Sequence, residues 1–136
     1  MRDAEILRID SRGRIVIPRS FRKTLGLKEG SQIMLISDPN ENELRLVPLP
    51  FTDQTAFMRM RILMPDEPGA LGKVSKVIGE MGLSLIYGQE IILKKGEAAE
   101  WNVIAPIPDM PMEEFKKIVI EKGGAKSVTI EVPNKP

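Results

Sequence analysis

Residues 7–30 read LRIDSRGRIVIPRSFRKTLGLKEG and combine two patterns in one short segment. Seven cationic side chains lie between residues 8 and 28 against a single carboxylate, Asp10, which leaves a local net charge of +6. Apolar residues alternate with these cations, so the segment can bury one face and present a cationic one. The pattern predicts a strand, a turn, a second strand and the start of a helix. A surface of this kind suits a partner that carries phosphates.

The same segment resembles the SpoVT-AbrB, or swapped-hairpin, DNA-binding domain of prokaryotic transition-state regulators and antitoxins. The matching positions are Asp10, the run GRIVIP at 13–18, Arg22, Lys23, Leu25, Gly26, Leu27, Gly30 and Ile33. The resemblance covers roughly residues 4–49. It implies a dimeric β-barrel in which each chain exchanges a hairpin with its partner, with a short helix between the hairpins.

In that family, basic residues near the Gly-Arg turn and on the short helix contact DNA. The resemblance therefore implies duplex DNA as the partner of this segment. By position it carries over to Arg14, Arg22 and Lys23, and charge and proximity add Arg8, Arg12 and Arg19. The alternative is a solvated face of a β-rich dimer without a nucleic-acid role.

Composition limits the classes of protein that this chain can belong to. Its 136 residues are 42% hydrophobic and 29% charged, as in ordinary globular proteins. The chain contains no Cys and no His, which excludes disulfides, thiolate zinc sites and His-based catalysis. Gly72-Lys73 lacks the other residues of a P-loop, so no nucleotide cofactor is indicated. From these missing residues and motifs together we expect no enzyme, no metal and no cofactor. The N-terminus has no signal-peptide pattern and no run is long enough to span a membrane, so we expect a cytoplasmic protein.

The segment PLPFTD, residues 48–53, is the predicted domain boundary. It follows a predicted hairpin in which DPNENE supplies the turn and LRLV the second strand. The predicted domains are residues 1–50 and 54–136. About 50 residues bury little surface in one chain, so we expect the first domain to need at least a dimer.

Downstream, alternating and helical periodicities predict the order βαββαβ. The predicted strands lie within 57–65, 83–95, 99–107 and 126–132, and the helices within 66–82 and 111–124. This order is typical of a ferredoxin-like unit. Trp101 and most methionines are interpreted as packing residues.

The loop between the first strand and helix resembles that of the ACT domain, a regulatory module that binds amino acids and similar ligands. The matching residues are DEPGAL at 66–71, Val74 and GLSL at 82–85, although the family often has Asn where this chain has Ser84. The resemblance covers roughly residues 56–133. The predicted fold class is thus α+β, with a swapped-hairpin β-barrel followed by a ferredoxin-like ACT domain.

Pro68 fits a first helical position, where the amides of Ala70, Leu71 and Gly72 could face a ligand carboxylate at the helix end. Asp66 could bind an ammonium group, or it could instead cap the helix. ACT domains usually hold the ligand between two units, which adds the start of the next strand. The predicted ligand-binding residues are Asp66, Gly69, Ala70, Leu71, Tyr87, Gly88 and Gln89.

Together the two resemblances imply a homo-oligomeric transcriptional regulator that responds to an amino acid or related metabolite. One alternative is an antitoxin of the AbrB type. Another is an ACT-containing regulatory subunit of an enzyme of amino-acid metabolism without a DNA role.

Overall fold

A computed structural model of the chain describes residues 3–49 and 55–133. The chain divides into two compact units, Met1–Thr55 (unit 1) and Ala56–Pro136 (unit 2). Most of the boundary predicted at 48–53 lies outside the described residues. None of the helices in the described ranges is long and apolar enough to cross a membrane.

The described residues of unit 1 contain one short helix and one hairpin. Helix α1 spans Arg19–Leu25, and strands β1 (Ile33–Asp38) and β2 (Glu43–Pro48) pair antiparallel. The register runs from Ile33 opposite Pro48 to Asp38 opposite Glu43, so the predicted hairpin is confirmed. In its turn, the Asp38 carboxylate accepts a hydrogen bond from the Glu41 N–H at 3.3 Å, as turn-forming Asp residues do.

The segment before α1 differs from the prediction. Residues 3–18 contain a turn at 11–13 but no strand, although two strands were predicted there. None of residues 3–49 is buried, and Ile6, Ile9 and Val16 are 97%, 72% and 76% exposed. Within the described part of one chain, these alternating residues therefore neither pair with another strand nor pack in a core.

Unit 2 has the predicted order of strands and helices. Its elements are β3 (Phe57–Met64), α2 (Ala70–Glu80), β4 (Tyr87–Lys94), β5 (Ala98–Pro106), α3 (Met112–Glu121) and β6 (Ser127–Glu131). The strands form one sheet in the order β4-β5-β3-β6, in which every neighbouring pair is antiparallel. The protein is thus a mixed α+β structure with antiparallel sheets.

The core of unit 2 lies between this sheet and its two helices. Alternate β3 residues Met58, Met60, Ile62 and Met64 are at most 2% exposed and belong to one cluster with α2 and α3 residues, including Phe115. Strand β5 alternates in the same way and contributes a buried Trp101, so the predicted packing role of this residue is confirmed. Because strand side chains point to opposite faces in turn, the intervening β3 and β5 residues form a second face that the helices do not cover. We call this the uncovered face.

Candidate functional site

The cationic segment of unit 1 is organised by Asp10. Its Oδ1 accepts hydrogen bonds from the N–H groups of Arg12 and Arg14, at 2.8 and 2.9 Å, and its Oδ2 accepts one from Arg14 Nε at 2.7 Å. The backbone N–H of Arg14 lowers the pKa of the Asp10 carboxyl, and the Arg14 side chain and the Arg12 N–H lower the pKa further. Gly13 has φ 75°, which favours glycine at this turn. The Arg14 side chain is thus held in place while remaining 68% exposed.

Helix α1 positions the second group of cations. Arg22 Nη1 donates a hydrogen bond to the carbonyl of Ile17 at 2.8 Å, which ties the helix to the segment before it. Arg22 and Lys23 lie in the last turn of α1, where cations interact favourably with the helix dipole. These two side chains therefore help to form the helix and are also exposed.

All six predicted DNA-binding residues are exposed, and they fall into two groups along the chain. Arg8, Arg12 and Arg14 precede or form the Asp10 turn, whereas Arg19, Arg22 and Lys23 lie on α1. Among the described residues, Arg8, Arg12, Arg19 and Lys23 have no ion pair or side-chain hydrogen bond to another side chain or carbonyl. Four of the six cations thus have unoccupied donors that could bind phosphate oxygens.

The sequence of unit 1 matches one family model. Residues 6–51 match the family model described as "Antidote-toxin recognition MazE, bacterial antitoxin". The match supports an AbrB/MazE-like N-terminal domain and a regulator or antitoxin kind of role. The match covers about a third of the chain and includes every predicted DNA-binding residue. None of the curated proteins compared with the chain matches it significantly.

The predicted ligand loop of unit 2 has a different geometry from the one expected. Helix α2 begins at Ala70 after Gly69, whose φ of 86° is a left-handed conformation that glycine adopts readily. Pro68 therefore precedes the cap, and its predicted place at the first helical position was wrong. The Ala70 N–H donates to the Glu67 carbonyl at 3.2 Å, so this amide is already bonded within the loop.

Asp66 does not cap α2, since no side-chain cap bond is present at this helix. Its Oδ2 instead accepts a hydrogen bond from the N–H of Gly96 at 2.7 Å. Gly96 lies in the turn between β4 and β5, 30 residues along the chain. The carboxylate thus fastens the loop before α2 to a neighbouring hairpin turn, a role that the sequence reasoning did not predict.

The two parts of the predicted ligand site lie at opposite ends of the sheet. The loop at 66–71 follows the end of β3, where Met64 pairs with Ala99. Tyr87, Gly88 and Gln89 begin β4, where Tyr87 pairs with Ile104. Five rungs along β5 separate these levels, or about 17 Å at 3.3–3.4 Å per residue. One chain therefore does not bring the two halves of the site together.

At the start of β4, Gly88 lies against the indole of Trp101. A Cβ on Gly88 would approach Trp101 Nε1 to 2.8 Å, closer than real Cβ atoms come to a neighbour. The absence of a side chain at Gly88 thus lets the indole lie against this strand. The contact is cross-strand, so the sequence carries no local signal for it.

Sequence reasoning also missed a polar cluster on the uncovered face of unit 2. The polar side chains that line a concavity of about 190 Å³ there are Arg59, Arg61, Asn102, Thr129 and Glu131. The available signal was the period-two placement of Arg59 and Arg61 within a strand whose other residues are buried.

Proposed function

We propose that the protein is a cytoplasmic, non-enzymatic transcriptional regulator that binds duplex DNA through unit 1 and senses an amino acid or related metabolite through unit 2. The observation that carries the DNA-binding half is the set of exposed cations on the Asp10 turn and on α1, within the domain that matches the AbrB/MazE family model. Cations of this kind bind the DNA backbone regardless of sequence and supply much of the affinity.

The binding form of unit 1 is a homo-oligomer of at least two chains. None of residues 3–49 is buried, and the exposed apolar residues include Ile6, Ile9 and Val16. A second chain that exchanges a hairpin with the first would cover these side chains and complete a β-barrel. This is why we favour the swapped-hairpin arrangement over a single-chain domain.

The sensory half of the proposal concerns the topology of unit 2. The element order βαββαβ and the antiparallel sheet order β4-β5-β3-β6 support a ferredoxin-like fold for unit 2. In an ACT domain of this arrangement, the loop at 66–71 would be the ligand loop. These two features support an ACT-type regulatory domain.

A complete ACT-type ligand site would need a second copy of unit 2. Strand β4 lies at the edge of the sheet, and its residues Ile91, Ile92 and Leu93 are 41–56% exposed. Antiparallel pairing of two β4 strands would place the loop at 66–71 of one chain at the same end as Tyr87–Gln89 of the other. A ligand at this junction would favour one association of chains over another, and so could change DNA binding.

The proposal is tested by selecting duplexes from a random library with the full chain, with and without a pool of amino acids at millimolar concentration. Enrichment of a defined sequence that changes with the pool would support both halves. Enrichment that is indifferent to the pool would keep the DNA-binding half and refute sensing of these ligands. No enrichment in either arm would refute sequence-specific DNA binding.

The antitoxin alternative is favoured by the description of the matching family. Antitoxins often bind their toxin through a tail that folds only on binding. Unit 2 has its own core, in which Met58, Ile62, Phe115 and Val119 are fully buried, which argues against such a tail. Affinity purification distinguishes this alternative, because an antitoxin would retain a small toxin protein. Recovery of a metabolic enzyme without DNA would instead favour the enzyme-subunit alternative.

A further inference from the structure

The uncovered face of unit 2 contains a shallow polar concavity at its centre. Strand pairing places Arg59 opposite Glu131, and Arg61 opposite both Asn102 and Thr129. These five side chains come from β3, β5 and β6 and line the concavity of about 190 Å³. The cluster thus lies on three adjacent strands, which makes its spacing rigid.

Among the described residues, only one of these five side chains has a partner. Arg61 Nε binds the Glu100 carboxylate at 2.7 Å, and that carboxylate is on a side chain only 16% exposed. Within the described ranges, the side chains of Arg59, Asn102, Thr129 and Glu131 make no hydrogen bond or ion pair. Arg61 is therefore committed to the protein, whereas the other four are available to a ligand.

Arg59 and Glu131 carry opposite charges on paired strands but form no ion pair within the described residues. Directly opposed residues on antiparallel strands have Cβ atoms about 4.5–5.5 Å apart, a spacing at which opposite charges usually interact. No ion pair joins these two side chains within the described structure. Both side chains line the concavity without an ion pair between them, and Asn102 and Thr129 line it as well.

We propose that this concavity binds a small zwitterion of the α-amino-acid class. Arg59 would bind the carboxylate, Glu131 the ammonium group, and Asn102 and Thr129 would donate and accept hydrogen bonds between them. The volume is below the roughly 300 Å³ at which drug-sized ligand sites begin, which suits a small ligand. The balance of one free cation and one free carboxylate favours a zwitterion over a phosphate or a nucleic acid.

This site is independent of the loop at 66–71. Helix α2 contributes Val74 and Ile78 to the core on the opposite face of the sheet. The site also lies within one chain and needs no second copy. Substitutions in the two sites therefore separate this proposal from the ACT-type sensing proposed above.

The test is an NMR titration of the ¹⁵N-labelled full chain with individual α-amino acids. Acetate and methylamine serve as probes that carry only one of the two charges. We expect an amino acid to shift the resonances of Arg59, Asn102 and Thr129, and neither half-probe to do so at the same concentration. Arg59→Gln should weaken binding about tenfold or more, as expected for loss of a charge-assisted hydrogen bond. Lys117→Gln, an exposed cation on α3, is the matched control and should bind normally.

The results can overturn the proposal in three ways. If no amino acid shifts these resonances, the site does not exist. If Arg59→Gln binds normally while Asp66→Ala loses binding, the ligand occupies the α2 loop instead. If Arg59→Gln changes the oligomer mass and no amino acid binds, the face is an interface between chains. Circular dichroism of Arg59→Gln verifies that the variant is folded, and Arg59→Lys should retain part of the affinity because it keeps the charge.

Discussion

Replacing Arg12 by glutamine should weaken DNA binding without disturbing the fold of unit 1. The Arg12 side chain is exposed and makes no ion pair among the described residues. By contrast, the Arg14 side chain donates a hydrogen bond to Asp10, and the Arg22 side chain donates one to the Ile17 carbonyl. Arg12 is therefore the cleaner site at which to remove a phosphate contact. Its backbone N–H, which binds Asp10, is kept by the substitution.

The expected size of the effect follows from counterion release. Six cations on each of two chains would give a slope of log K against log[salt] of about −11, and removal of Arg12 from both chains would leave about −9. If affinity at about 1 M salt is unchanged, this difference weakens binding about 60-fold at about 0.1 M salt. If fewer cations contact DNA, both slopes become less negative, but the difference between the slopes of the two proteins stays near 2.

Fluorescence anisotropy with a labelled duplex of arbitrary sequence measures this slope over a range of salt concentrations. Arg45→Gln is the matched control, because Arg45 is an exposed cation on β2 outside the predicted interface. An unchanged slope for Arg12→Gln, or an equal change for Arg45→Gln, would refute the assignment of the interface to the Asp10 turn.

Three further outcomes are expected. Phe115→Ala should lower the free energy of unfolding by about 3–5 kcal/mol, because the ring is fully buried; Lys117→Ala on the same helix should cost far less in urea unfolding, and similar costs would contradict the described core. The hydrogen bonds that lower the Asp10 pKa should stabilise unit 1 at pH values above 3.8, the pKa of this carboxyl in the unfolded chain, and this stabilisation should be lost as pH falls through the lower pKa of the folded state. Acid unfolding of Asp10→Asn should lack this loss of stability, and the same acid unfolding in both proteins would count against the turn. Asp66→Ala should speed hydrogen exchange at the Gly96 amide, whereas Asp66→Asn, which keeps an acceptor oxygen, should change it less; equal exchange in both variants would mean that the bond is absent in solution.

Local patterns predicted most of unit 2. Strand β3 alternates buried and exposed residues along FMRMRILM, and α3 places Phe115 and Val119 at helical spacing, so their periods were visible in the sequence. In unit 1 the hairpin could be predicted from the turn residues DPNENE, which are also a local signal in the sequence. Each of these features depends on residues that are near one another in the chain.

Features that depend on distant residues were missed. The bond from Gly96 to Asp66 spans 30 residues, so a pattern that looked like a helix cap was a tether between a loop and a hairpin turn. The cluster around Arg59 depends on the register of three strands, which no single segment encodes. In residues 3–18 the alternation predicted two strands, but no strand is present there, and the described part of the chain offers no partner strand for this segment.

If unit 1 forms its core with a second chain, as proposed above, the absence of any buried residue in 3–49 links the formation of unit 1 to the amount of protein present. A domain that gains its core only from another chain becomes more stable as protomer concentration rises. A freshly synthesised chain would then meet its partner in a second-order step before it could recognise DNA. Promoter occupancy would rise more steeply than in proportion to the number of chains. Dilution at cell division would likewise reduce promoter occupancy by more than the dilution factor.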